Sequence, residues 1–161
     1  MTIENDGRHD FDFLIGSWKV HHRTLKKRLH ASTEWVEFEG DMVSRKILNG
    51  LGVLDENLIQ TKNGPVQAMA LRLFNPVAKE WSIYWSTDQT GILDVPVIGG
   101  FQEGHGEFYS QEVFVGRHIY SRFIWSRITA NSAQWEQAFS IDGGKTWETN
   151  WVNTFERVEG N

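Results

Sequence analysis

Ser17-Trp18-Lys19-Val20-His21-His22-Arg23-Thr24 and, further on, Val36-Glu37-Phe38-Glu39-Gly40-Asp41-Met42 are two alternating runs whose pairing decides the fold. Read as a hairpin centred near His30, they set Lys19 opposite Asp41, His21 opposite Glu39 and Arg23 opposite Glu37. Unlike charges directly across a strand pair attract, so this face belongs in water. The other face carries Trp18, Val20, His22 and Thr24 beside Val36, Phe38, Gly40 and Met42, and it is the natural interior. Successive strand side chains point to opposite faces, so His22 turns inward where His21 turns outward.

The rest of the chain repeats this pattern. Short alternating runs near 17–29, 34–48, 52–60, 66–74, 81–87, 97–102, 106–115, 117–127, 133–141 and 146–157 are separated by turn residues such as Asn63-Gly64-Pro65, Asn75-Pro76 and Asp142-Gly143-Gly144. The links are short, so neighbouring strands run antiparallel, and about ten such strands leave open edges unless the sheet closes into a barrel. His9 to Leu14, short, aromatic and followed by Gly16, predicts one helical turn that plugs the barrel near Trp18. A length of 161 residues fits a single domain over 1–161, and 40% hydrophobic residues with 8 Trp, 10 Phe and 3 Tyr supply a real core.

Composition excludes several functions. A net charge of −5, from 16 Lys plus Arg against 21 Asp plus Glu, argues against nucleic acid as a partner. The absence of cysteine removes disulfides, thiolate metal sites and a cysteine nucleophile. Met1 to Phe11 show neither a basic nor an apolar leader region, and no run approaches a membrane span, so a soluble cytoplasmic protein with no membrane partner is expected. Metal is not expected either: His21 and His22 face opposite ways, and Glu37, Glu39 and Asp41 have basic partners across the hairpin. Nucleophile elbows, phosphate-binding loops and dinucleotide fingerprints are missing, so no cofactor is expected. Ser140-Ile141-Asp142-Gly143-Gly144-Lys145-Thr146-Trp147 fits an Asp-box, read here as a structural hairpin whose Asp caps the turn.

Pairing around Asn75-Pro76 sets Phe74 opposite Trp81, Arg72 opposite Ile83 and Ala70 opposite Trp85; around Thr129–Ser132 it sets Trp125 opposite Trp135 and Phe123 opposite Gln137. The inner face therefore gathers His22, Phe38, Arg72, Trp85, Trp125 and Gln137, with Asn150 a further candidate. An inward arginine among aromatic rings answers a carboxylate, either an inner-face acid of the protein or one carried by a ligand. A histidine on an apolar face is either a hydrogen-bonded core residue or an acid–base group.

Phe11-Asp12-Phe13-Leu14-Ile15-Gly16-Ser17-Trp18 resembles the opening of calycin-like proteins, and its G-x-W is shared with the lipocalin superfamily. Glu34-Trp35-Val36-Glu37-Phe38, Asp55-Glu56-Asn57, Trp81-Ser82-Ile83-Tyr84-Trp85, Trp135 to Ser140 and Asp142 to Trp151 extend this to a resemblance with the bacterial DUF1579 family over nearly the whole chain. The resemblance implies a calycin-like, lipocalin-like antiparallel barrel and brings no established activity. Heme-binding nitrobindins are similar at the same opening, but their axial histidine lies late in the barrel, and the last histidine here, His118, falls on the outer face. The Tyr/Glu region of phenolic acid decarboxylases, another calycin-like group, has no counterpart.

The expected function is the binding of a small apolar or amphipathic molecule inside the barrel, with Trp85, Trp125 and Phe38 giving contact area and Arg72 and Gln137 orienting its polar end. The alternative is an enzyme of isomerase or lyase type acting on such a ligand through His22 and Arg72. Met69, Leu71 and Leu73 alternate with Ala68, Ala70 and Phe74, apolar on both faces, which points to a homodimer covering the outer one.

Overall fold

The computed structural model describes residues 5–158; residues 1–4 and 159–161 of the expected 1–161 domain lie outside the described part. Among the described residues ten strands follow one another: β1 (Gly16–Leu25), β2 (Trp35–Ile47), β3 (Gly52–Thr61), β4 (Gly64–Asn75), β5 (Glu80–Thr87), β6 (Val97–Gln102), β7 (His105–Phe114), β8 (Arg117–Ser126), β9 (Ser132–Ser140) and β10 (Glu148–Arg157). Each pairs antiparallel with its neighbours in sequence and β10 returns to β1, so the barrel closes and leaves no edge. The all-β barrel and its ten strands are as expected, and no described helix is long and apolar enough to cross a membrane.

The predicted registers hold. Lys19, His21 and Arg23 face Asp41, Glu39 and Glu37; Arg72 faces Ile83, Ala70 faces Trp85, and Trp125 faces Trp135. Lys19 ion-pairs with Asp41, and His21 reaches both Glu37, at 2.9 Å, and Glu39. The first strand ends at Leu25 rather than 29, because Leu29 (φ 62°) and Ala31 (φ 53°) turn left-handed and take the chain out of the sheet. The Lys26 N–H still donates to the Glu34 carbonyl at 2.9 Å, which keeps the hairpin centred near His30.

One end of the barrel is stoppered. The helical turn is shorter than the expected 9–14, a 3₁₀ turn over Asp12–Leu14, but it delivers fully buried Phe11 and Leu14 into the end of the barrel. The Phe11 ring meets Trp81 and Phe101 edge-on at 5.0 and 4.9 Å. Trp18 Nε1 donates to the Leu14 carbonyl at 2.8 Å and Trp81 Nε1 to the Gly7 carbonyl at 3.0 Å. Arg157 lies over the Trp18 ring at 4.2 Å and donates to the carbonyls of Ile15 and Phe13, both at 2.7 Å. Beside the stopper β6 runs close against β7: a Cβ on Gly99 would lie 1.9 Å from the Glu107 carbonyl oxygen, so only glycine fits.

Outside, the Asp-box hairpin is structural as read. Asp142 accepts the Thr146 hydroxyl on Oδ2 and, on Oδ1, the Thr146 N–H at 2.9 Å and the Ser140 hydroxyl at 2.8 Å, and these bonds hold the pKa of its carboxyl down at about 2. Met69, Leu71 and Leu73 on the outer face are half-buried within the single chain.

Candidate functional site

Beyond the stopper the barrel encloses a cavity of about 260 Å³, reached from the opposite end, where the β1–β2 loop, the chain between β5 and β6, and the end of β7 meet. His22, Arg72, Trp85, Trp125 and Gln137 line it as expected. Phe38 does not. It stacks behind the His22 ring, centroids 5.0 Å apart and 15° from parallel, and so backs the wall without forming it.

The floor is ionic. Arg72 Nη1 donates to Asp55 Oδ2 at 2.6 Å, while Asp55 Oδ1 accepts from the Ala70 N–H at 3.0 Å and from Asn57 Nδ2 at 2.9 Å. The guanidinium carbon lies 5.1 Å from the Phe11 ring and 5.7 Å from the Trp125 ring, sandwiched between stopper and wall. Arg72 is therefore answered by an inner-face acid of the protein, the first of the two carboxylates expected for it. Its buried charge could not stand without Asp55, since an unpaired interior ion costs several kcal/mol, on the order of 3–5.

On one wall, Trp151 Nε1 donates to His22 Nδ1 at 3.2 Å. That bond requires Nδ1 to be the lone-pair nitrogen, so the neutral ring carries its proton on Nε2. Burial, helped by the charge of neighbouring His21, holds the His22 pKa down to about 4, so the ring is neutral near pH 7. Gly40 makes the ring's position available: a Cβ there would stand 3.1 Å from His22 Nε2. Gln137 Nε2 donates to fully buried Asn150 at 2.8 Å, which makes it a member of a protein pair. Aromatic rings fill the remaining surface, with Trp151 meeting Trp135 at 5.0 Å and Trp85 at 5.8 Å, both edge-on.

Several polar atoms of this wall have no hydrogen-bond partner among the described residues: His22 Nε2, Arg72 Nε, Trp125 Nε1 and Asn153 Oδ1 are all buried and unmatched. Each such group costs about 1–3 kcal/mol if nothing meets it. The mouth adds Arg28, Asp94 and Glu112. Sequence reasoning missed Asp55, Asn153 and Arg28. Asp55 was within reach, because pairing across Asn63-Gly64 sets it opposite Ala70 on the face of Arg72. Arg28 was not, because it sits in a loop without periodicity.

Among the described residues no three histidine or acidic side chains gather where they could share a metal ion. His118, the last histidine, is exposed on β8 and has no access to the cavity. No family model matches the chain, and no curated protein matches it in sequence. Among solved structures, the S-type phycobiliprotein lyase CPES of Guillardia theta superposes with a TM-score of 0.63 and 12% identity, over 100% of both chains. At that identity the likeness establishes the shared fold, a lipocalin-like barrel.

Proposed function

We propose that the protein binds a small amphipathic molecule in the barrel, its apolar body among Trp85, Trp125, Trp135 and Trp151 and its polar atoms on the groups that the protein leaves unmatched. The observation that carries this reading is a cavity of about 260 Å³ among whose lining residues His22, Arg72, Trp125 and Asn153 each keep a buried polar atom without a partner among the described residues. A barrel packed solid for stability alone would have neither. A cavity of ~150 Å³ accepts benzene, so this one suits a body of about two fused rings with a polar substituent.

Naphthalene-2-carboxamide tests the reading: it is expected to bind saturably at micromolar concentration and to quench tryptophan emission. Ala70, opposite Trp85 on the cavity wall, supplies the control. Ala70→Leu fills the space and should abolish binding while the barrel still folds; unchanged binding would mean that the probe sits elsewhere and that the cavity is not the site.

The enzyme reading, an isomerase or lyase using His22 and Arg72, draws support from the similar fold being that of a lyase. The residues favour binding. His22 Nδ1 is engaged by Trp151 and its Nε2 is protonated, so the ring is a hydrogen-bond donor rather than a base, and Arg72 is committed to Asp55. Membership of DUF1579 and a homodimer through the outer face of β2 to β4, where Val43 and Leu58 are exposed, belong to the same proposal, and light scattering that gave only monomer at micromolar concentration would remove the dimer.

A further inference from the structure

Among the described residues Arg28 lies on the cavity's lining without an ion pair, with Glu148 acting on it only from a distance. Among the ion pairs of the described residues none includes it, whereas Arg72, the other arginine on the lining, is paired with Asp55. Its guanidinium carbon lies at the aromatic mouth, 5.6 Å from the Phe139 ring and 5.9 Å from the Trp151 ring. The donors along the edge of a guanidinium form the fork that matches a carboxylate. The acids nearby have other work. Glu148 is close enough to act on Arg28 electrostatically, but its Oε1 accepts the Leu29 N–H at 2.7 Å. Glu112 accepts the Ser110 hydroxyl at 2.6 Å, and burial raises the Asp94 carboxyl above its usual value.

The backbone holds Arg28 in place at a cost. Leu29 and Ala31, neither of them glycine, both sit in the left-handed region, at φ 62° and 53°. Strain of about 1–3 kcal/mol per residue persists only where the surroundings over-determine it, and it gathers at ligand clamps. Here the Glu148 bond to Leu29 and the Lys26–Glu34 backbone bond pin the loop from both sides.

We propose that Arg28 receives the anionic group of the ligand, which makes the ligand class a carboxylate on a flat apolar body: rings among the tryptophans, carboxylate at the mouth. This rests on the binding reading above and adds to it the charge of the ligand and the residue that selects it.

Calorimetric titration at pH 7.5 with naphthalene-2-carboxylate, naphthalene-2-carboxamide and naphthalen-2-ylmethanamine separates the possibilities, since the three share one ring system and carry negative, zero and positive charge. The carboxylate should bind about ten- to a hundredfold more tightly than the amide. In Arg28→Gln the two should bind alike. Arg28→Lys, which keeps the charge without the fork, should retain part of the preference and serves if Arg28→Gln does not fold. Equal binding of carboxylate and amide by the parent, or a preference for the amine, overturns the inference and leaves the cavity as a binding site. A carboxylate preference that survives Arg28→Gln overturns the assignment to Arg28. Binding of none of the three overturns both the inference and the reading on which it rests.

Discussion

The two ends of the barrel treat polar groups in opposite ways. At the stoppered end the indole N–H groups of Trp18 and Trp81 both find backbone carbonyls, and Arg157 donates to three, those of Ala130, Ile15 and Phe13, with the buried Ser44 hydroxyl the exception that stays unmatched among the described residues. In the open half Trp125 Nε1, His22 Nε2 and Asn153 Oδ1 are buried without partners among the described residues, and Arg28 lies at the mouth. A satisfied polar network holds the fold. An unsatisfied one, in a cavity large enough for a molecule, has its complement in something the barrel takes up. The same sheet thus carries stability at one end and binding at the other, and the boundary between them is the Arg72–Asp55 pair.

Breaking that boundary should have the largest effect. Arg72→Met leaves the Asp55 carboxylate buried with one donor fewer and takes a cation from beneath the Phe11 ring; a loss of about 3–5 kcal/mol in chemical denaturation is expected. A loss below about 1 kcal/mol would show that the floor does not hold the stopper.

A pH titration sharpens the contrast in the middle of the barrel. In the folded state His22 titrates at about 4, against 6.5 when unfolded. Between those values the unfolded chain binds a proton that the folded chain refuses, so stability is full above pH 6.5, falls as the pH drops and levels off below about 4. The loss due to His22 between pH 7.5 and pH 5 comes to about 2 kcal/mol. His21 works the other way: its glutamate partners Glu39 and Glu37 raise its pKa, so its contribution is present in acid and is lost as the pH rises through the folded value. His22→Gln retains His21, and its stability should therefore fall less in acid than that of the parent. Parallel curves for the two proteins would mean that His22 is not buried neutral.

The smallest effect on stability is expected at the mouth. Arg28→Gln should change it by no more than about 1 kcal/mol, the scale of its contacts with the Phe139 and Trp151 rings, although it removes the carboxylate preference. Two arginines on one cavity would then differ almost completely in what they do, Arg72 for the fold and Arg28 for the ligand.

How far the sequence could be read follows the same division. Strand pairs obey a two-residue period, so the charge ladder of Lys19, His21 and Arg23 against Asp41, Glu39 and Glu37 fixed faces and register before any coordinates. The inward positions of His22, Arg72, Trp85, Trp125 and Gln137 followed from that period. What each does depends on partners far apart in sequence: Arg72 on Asp55 across the β3–β4 hairpin, and His22 on Trp151 across the closure of the barrel. Phe38 has the correct face but stands one layer behind the wall, since period reports the face and not the depth. Arg28 has no period to betray it; only the left-handed turn around Leu29 brings it over the mouth.

The indole N–H signals of a ¹⁵N-labelled sample test the two-ended account most directly, because the eight tryptophans are spread over both halves. On addition of naphthalene-2-carboxamide, whose lack of charge makes the result independent of Arg28, the signals of Trp85, Trp125, Trp135 and Trp151 should move together and saturate. Those of Trp18 and Trp81, bonded to the carbonyls of Leu14 and Gly7, should stay where they are. Movement confined to Trp18 and Trp81, or no saturable movement in the four cavity tryptophans, would contradict a barrel that is sealed at one end and binds at the other.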